Sequence, residues 1–495
     1  MFSGVLLALA LLPSSREFVP AAGHVREPPV SVMRDATLPA EGYSLEVTPA
    51  GVRIAAADDA GVFYARQTLE QLGGPQGVRC CRVRDWPEYP YRGVMIDDGR
   101  HFFGKAHILK TLEWMAKYKL NKFHWHLCED QGWRIQIDKY PNLTAIGSAR
   151  PRSPLPGRYT KAYDNRPYGP FFYTKDDIRE VVARAEELHI EIIPDLEMPG
   201  HARSVIASYP KLGCPTSPLD ERTAWTDWGI CDDVFCLGNE QVYRFWCDVI
   251  DEVCELFPSS RINMCGDECT TRNWSKCPKC RAKAEELGLE HISHLQGWMT
   301  NRIVAYLRSK GRYYMGYADG MGHGSSLGTG DVVAIAGSQT GGAEAAARGY
   351  KVVMAPVEYA YWDFNQGLAG DPYVYASWWS GSNPLGQVYS FQPRLGLSAG
   401  AAKNVIGGLA FNWSEYTATP AELEWKMWPR AIAFAQALWN PPSGYSYAER
   451  FLPALSGHLE RLRAAGVNCA TWAPESPRAC TGGMSADNQV MKVAE

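Results

Sequence analysis

Gly93-Val-Met-Ile-Asp97, Ile108-Leu-Lys-Thr-Leu-Glu-Trp-Met-Ala-Lys-Tyr118 and Lys122-Phe-His-Trp-His-Leu127 follow one another as a strand-like run, a helical run and a second strand-like run. A strand, a crossover helix and a neighbouring strand form the repeating unit of a parallel sheet. The alternation continues with strand-like runs at 190–196, 262–265, 313–317, 332–336, 352–355 and 405–411, and with helical runs at 175–188, 240–256 and 294–310. Eight such strands alternating with helices predict an α/β fold, a closed (β/α)8 TIM barrel over residues 89–440. In these barrels chemistry sits at the C-terminal ends of the strands, on the loops that follow.

Upstream, Tyr43-Ser-Leu-Glu-Val47 alternates like a strand, Gly51-Val-Arg-Ile-Ala55 pairs with it, and 61–72 has helical spacing. This predicts a small, shortened α/β domain over residues 23–88, and 441–495 reads as a helix (447–465) with an irregular tail. The apolar run 4–12, followed by Pro13-Ser-Ser-Arg16, reads as the apolar part of a signal peptide over residues 1–22, although it lacks a basic flank. Export, to the periplasm or the medium, is the expectation. No segment is long and apolar enough for a membrane span.

The formal net charge of −4 provides no basic field for nucleic acid or anionic lipid. The 17 Trp and 25 Tyr lean toward carbohydrate, because aromatic rings stack on the apolar faces of sugars. Among 14 cysteines, local disulfides are candidates at Cys214/Cys231 or Cys231/Cys236, and at Cys469/Cys480. Cys277-Pro-Lys-Cys280 has the spacing of half a zinc site, but no second CxxC exists; it reads first as a local disulfide or a thiol pair at a helix start.

At the end of the fourth strand stands Gly266-Asp267-Glu268. An arbitrary Asp-Glu pair is usually solvated, but this one leaves the largely apolar run Arg261-Ile-Asn-Met-Cys265 at a barrel mouth. Successive strand residues point to opposite faces, so the backbone must bend if both carboxylates are to serve one ligand.

Six motifs in order resemble glycoside hydrolase family 20, the β-N-acetylhexosaminidases: Arg100-His-Phe-Phe103, His124-Trp-His-Leu127 with Glu129-Asp-Gln-Gly-Trp-Arg134, Met198-Pro-Gly-His201, Cys265-Gly-Asp-Glu268, Tyr361-Trp-Asp363 and Trp413-Ser-Glu415. The resemblance spans 91 to about 440, and 42–72 resembles the small domain that precedes the barrel in that family. It implies an exo-acting retaining enzyme that releases terminal β-linked GlcNAc or GalNAc from an oligosaccharide or glycoconjugate. The nucleophile is then the substrate's own 2-acetamido oxygen, and family 20 is one of the exceptions to the two-carboxylate scheme. The implied catalytic residues are Asp267, Glu268 and Tyr361. Glu268 is the acid and then the base, with a pKa raised by burial and by Asp267. Asp267 stays ionised and accepts the acetamido N–H; Tyr361 donates to its oxygen. Arg100, Glu415 and Asp363 hold sugar hydroxyls, Trp413 lines the subsite, Tyr317 walls the acetamido pocket, and His201 bridges Glu129 and Glu268. His124 and His126 share one face of their strand, where a structural role outweighs a metal. No cofactor or metal is assigned.

Several positions depart from the family pattern. Asn263 and Cys265 replace a His and a Gly, and Glu129 replaces an Asp. Two acetamido-cage tryptophans correspond to Tyr317 and Ala336, leaving Tyr359, Trp362 or Trp378 as candidates to fill the gap. The alternatives are a member with a modified first subsite, a sugar-binding pseudoenzyme, and a zinc-binding structural protein built on Cys277/Cys280.

Overall fold

The computed structural model describes residues 11–155, 162–216, 222–318, 320, 327–367, 371–373, 382–441 and 446–470. The chain first builds a small sheet from β1 (Glu17–Val25), β2 (Val30–Arg34), β3 (Tyr43–Thr48), β4 (Gly51–Ala56) and, after helix α1 (Asp59–Leu72), β5 (Gly77–Asp85). Its order is β1-β5-β3-β4-β2, antiparallel except for the β2–β4 edge. Alternation along β3 buries Tyr43, Leu45 and Val47, which share an apolar cluster with Tyr64, Ala65 and Leu72 of α1. The Asp58 carboxylate starts α1 by accepting the Gly61 N–H.

The small domain begins earlier than the sequence suggested. Strand β1 pairs with β5 from Glu17↔Arg84 to Val25↔Val78, and Leu11, Leu12 and Ser14 are buried. A boundary at residue 22 therefore cuts through a strand. The reason is that β1 is an exposed edge strand, so its side chains carry no apolar alternation.

The barrel closes from β6 (Tyr91–Asp97), β7 (Lys122–His126), β8 (Glu191–Asp195), β9 (Arg261–Asn263), β10 (Tyr313–Tyr317), β11 (Val332–Ala336), β12 (Lys351–Met354) and β13 (Val405–Asn412). All eight pair in parallel in chain order, β13 closing on β6. The outer layer includes α2 (Lys105–Lys117), α3 (Lys175–Glu187), α4 (Glu240–Leu256), α5 (Pro278–Glu286), α6 (His294–Ser309), α7 (Gln339–Ala347), α8 (Pro420–Met427) and α9 (Arg430–Trp439). After it, α10 (Leu452–Ala464) is the last helix among the described residues. Among the described residues no helix is long and apolar enough to cross a membrane.

One buried carboxylate ties the small domain to the barrel. Asp85 Oδ2 accepts from Tyr43 Oη (2.9 Å), from Trp439 Nε1 (2.9 Å) and from Lys119 Nζ (3.0 Å), and the Lys119 ammonium lies 4.4 Å from the Trp439 ring centre. Removing one member of a buried ion pair leaves the other charge without compensation. Lys119→Met is expected to lower stability by about 3–5 kcal/mol, read by denaturant unfolding. A loss under about 1 kcal/mol, the usual worth of a surface pair, would show that this junction does not hold the two units together.

Candidate active site

Seven of the eight strand ends deliver the residues expected at the site. Arg100 follows β6, Glu129 and Asp130 follow β7, His201 follows β8, Asp267 and Glu268 follow β9, Tyr317 ends β10, Tyr361 and Asp363 follow β12, and Trp413 and Glu415 follow β13.

The bend demanded by the adjacent carboxylates is present. Cys265, Gly266 and Glu268 have φ of 49°, 96° and 47°, in the left-handed region where non-glycine residues are uncommon. The surroundings hold this turn. Asn263 Oδ1 accepts the Cys265 N–H (3.1 Å), the Tyr317 N–H donates to Cys265 O (3.0 Å), and Gln296 Nε2 donates to Gly266 O (2.5 Å). A side-chain carbon at Gly320 would lie 2.2 Å from Gly266 O, so a second backbone closes over the turn. Asn263, a departure from the family pattern, thus works as a brace for the turn.

A chain of charges runs across the mouth. Arg100 lies 3.2 Å from Asp97, 3.3 Å from Glu129 and 3.8 Å from Glu415, with its guanidinium 5.0 Å from the Trp413 ring centre. His201 Nδ1 lies 2.7 Å from Glu129 and 3.1 Å from Asp130, while its Nε2 lies 3.4 Å from Glu268. On the far side Trp413 stacks on Phe411 (5.4 Å), which meets the Tyr361 ring edge-on (5.2 Å) and Tyr317 (5.9 Å). Arg100 thus joins the charged groups Glu129, His201, Glu268 and Glu415 to the ring cluster of Trp413, Tyr361 and Tyr317.

Burial alone would drive His201 toward neutrality. Glu129, then hydrogen bonds to Asp130, Glu129 and Glu268, reverse this and hold its pKa well above the usual value. The imidazolium in turn acts on Glu268. Burial would raise that carboxyl, but the hydrogen bond and charge of His201 bring it below its usual value. This corrects the expectation of a raised Glu268; the side chain also keeps 48 % of its surface open. Burial, then Glu415, pushes Asp363 up to about 7, and among the described residues the buried Asp363 Oδ1 has no hydrogen-bond partner. Such a carboxyl can both donate to and accept from a hydroxyl.

Sequence reasoning missed three groups. Asp130 shares His201 with Glu129. Glu197 is buried 3.7 Å from His126, and burial followed by the charge of Asp267 raises its pKa well above the usual value. Asp97, the last residue of β6, holds Arg100. Asp97 and Glu197 stand at strand ends, so the barrel-mouth rule pointed to them. His124 is held by Asp195 at 2.8 Å, and His126 by Glu129 at 3.2 Å.

The acetamido wall also needs correction. A side-chain carbon at Gly342 of α7 would meet Ala336 Cβ at 3.1 Å, so Ala336 faces the helix layer. The neighbour that borders Tyr361 is Gly337, where a side-chain carbon would lie 3.8 Å from the hydroxyl. Trp362 is fully buried against Phe434, and Tyr359 packs on Phe391, so neither fills the gap; Trp378 lies outside the described residues. The expected pairs Cys214/Cys231 and Cys231/Cys236 are not disulfides, and Cys480 lies outside the described residues.

A closed parallel barrel with carboxylates, an imidazolium, an arginine and a tryptophan at its mouth is an enzyme site suited to a polyhydroxylated substrate. The family model "Glycosyl hydrolase family 20, catalytic domain" matches residues 89–442, and "Glycosyl hydrolase family 20, domain 2" matches 11–86. The chain belongs to glycosyl hydrolase family 20. It is 35% identical over 450 residues to a beta-hexosaminidase of Porphyromonas gingivalis, covering 88% of this chain and 55% of that protein. It is 32% identical over 437 residues to a beta-hexosaminidase of Akkermansia muciniphila, covering 86% of this chain and 84% of the relative. The crystal structure of an exo beta-N-acetylglucosaminidase from Vibrio harveyi in complex with N-acetylglucosamine superposes with a TM-score of 0.83 at 27% identity, covering 94% of this chain and 79% of that one.

The charge chain makes a signed prediction. His201→Gln removes the imidazolium that holds Glu268 down, so burial then dominates and the carboxyl titrates at higher pH. An acid that stays protonated to higher pH extends activity upward, so the basic limb of kcat/KM is expected to move to higher pH as kcat falls. A basic limb that stays in place or moves to lower pH would contradict the coupling.

Proposed function

We propose that this chain is an exo-acting, retaining β-N-acetylhexosaminidase that removes terminal β-linked GlcNAc or GalNAc from oligosaccharides or glycoconjugates by substrate-assisted catalysis. The observation that carries the reading is the division of labour between adjacent carboxylates. Glu268 is open to solvent and bonded to His201, whereas Asp267 is half-buried and acts electrostatically on Tyr317 and Glu197.

In this reading the terminal sugar lies against Trp413, its hydroxyls held by Arg100, Glu415 and Asp363. Asp267 accepts the acetamido N–H and Tyr361 donates to the acetamido oxygen, which sets that oxygen beneath the anomeric carbon. The oxygen attacks as the glycosidic C–O bond breaks, and Glu268 protonates the departing oxygen. Asp267 stabilises the positive charge of the oxazolinium ring. Water then attacks the anomeric carbon, gives its proton to Glu268 and restores the acetamide, with net retention of configuration. No cofactor enters any step. Export is part of the proposal on the strength of the apolar run 4–12.

Glu268→Gln removes the acid. Hydrolysis of unactivated glycans is expected to fall by about two to four orders of magnitude, and that of an aryl glycoside with a good leaving group by much less. Near wild-type turnover of a natural disaccharide by this variant would remove Glu268 from the acid role.

A further inference from the structure

We propose that Cys214, Cys236, Cys277 and Cys280 form a tetrahedral tetrathiolate site that binds one zinc ion and clips together the two loops carrying His201 and the Asp267–Glu268 pair. The four side chains are buried, and their sulfurs all lie within 4.8 Å of one another. The separations Cys214–Cys280, Cys236–Cys277 and Cys236–Cys280 are 3.9, 3.7 and 3.7 Å. Zinc–thiolate bonds of about 2.3 Å in a tetrahedron require sulfur–sulfur edges of about 3.8 Å. Bonded disulfide sulfurs are about 2.05 Å apart. Cys236 is equally far from two partners, which suits a common central ion better than a pairwise bond.

The backbone is shaped for the same purpose. Cys277 and Cys280 open α5, which has Pro278 as its first residue, giving a CxxC half-site at a helix start. Cys214 and Cys236 supply the other half from the loop after β8, where the Cys236 N–H donates to Leu212 O at 2.8 Å. That half-site is invisible as a motif because its cysteines are far apart in the chain. Gly238 passes so close to the CxxC that a side-chain carbon there would lie 2.2 Å from Lys279 O. Lys279 within the CxxC, and Lys276 and Arg281 on either side of it, offset the net negative charge of a zinc tetrathiolate. Soft thiolates in a tetrahedron select zinc or iron, and zinc is the commoner structural choice.

The site would join the β8–α4 loop to the β9–α6 segment. These loops already touch through Trp274 Nε1 to Phe235 O (2.8 Å), Asn273 Nδ2 to Asp232 O (2.6 Å) and Thr270 Oγ1 to Asp232 (3.0 Å). Nearer the site, a side-chain carbon at Gly200 would lie 3.2 Å from Asp267 O. A clip at the outer ends of both loops thus sets the 3.4 Å approach of His201 to Glu268.

The test uses the full chain purified without added metal or chelator. Elemental analysis should find one zinc per chain, and zinc X-ray absorption should show four sulfur neighbours at about 2.3 Å. Treatment with an organomercurial should release the zinc to a chromogenic chelator. Cys277→Ala/Cys280→Ala should lose the metal and melt earlier, while Cys247→Ala should keep both metal and melting temperature. With the loops unclipped, activity should fall by up to about a hundredfold, the scale of loss from small misplacements of reacting groups. Zinc well below stoichiometry, zinc bound through nitrogen or oxygen, one iron with visible absorption, or disulfides among these four cysteines would each overturn the proposal. The metal readouts need no substrate, so a zinc-loaded protein inactive on hexosaminides would count against the proposed function and leave the site standing.

Discussion

Two neighbouring side chains on a regular strand point to opposite faces, yet Asp267 and Glu268 have to address one bond. The structure resolves this by bending the chain at Cys265, Gly266 and Glu268 into left-handed conformations. Such conformations persist only where the surroundings over-determine them. Here Asn263, Gln296, the Tyr317 N–H and the close backbone at Gly320 supply the constraint. Much of the loop architecture around β9 and β10 can be understood as holding that turn.

The same turn determines how charge is arranged. Glu268 faces His201, whose proton is retained by Glu129 and Asp130, and Glu129 is also paired with Arg100. Arg100 and His201 each stand among several carboxylates and supply the opposite charge in a site otherwise rich in acid. The charge of Glu129 and the hydrogen bonds to Asp130, Glu129 and Glu268 favour the charged form of His201, and the hydrogen bond and charge of His201 favour the ionised form of Glu268. A sugar seated over the site would exclude water and remove part of what favours the ionised Glu268, moving the proton toward the group that must donate it.

The barrel was legible because its strands are buried on both faces and its helices are amphipathic, so all eight strands and four helices fell close to their observed bounds, with 313–317, 332–336 and 240–256 matching at both ends. Strand β1 is not legible in the sequence, since an exposed edge strand has no apolar period. At the site, ring nitrogens and carboxylates in strand-end motifs could be placed, and His201 does lie between Glu129 and Glu268. The sign of the Glu268 shift could not be read, because it depends on a balance between burial and one hydrogen bond that no spacing encodes. Ala336 was misplaced for a related reason: at a strand end a one-residue change of register exchanges the pocket for the helix layer. The thiol cluster escaped because half of its cysteines are separated by a long loop, and only folding brings their sulfurs together.

The central claim is that the substrate's own acetamido oxygen, aligned by Asp267 and Tyr361, is the nucleophile. It is tested most directly by turnover of an aryl β-glucosaminide series whose N-acyl group carries none, one, two or three fluorine atoms. Fluorine withdraws electrons from the carbonyl oxygen while changing the group's size little. The account predicts a steep, progressive fall in kcat/KM across the series and no measurable turnover of the matching β-glucoside. A flat series, or glucoside turnover comparable to that of the parent, would contradict it by requiring a nucleophile from the protein.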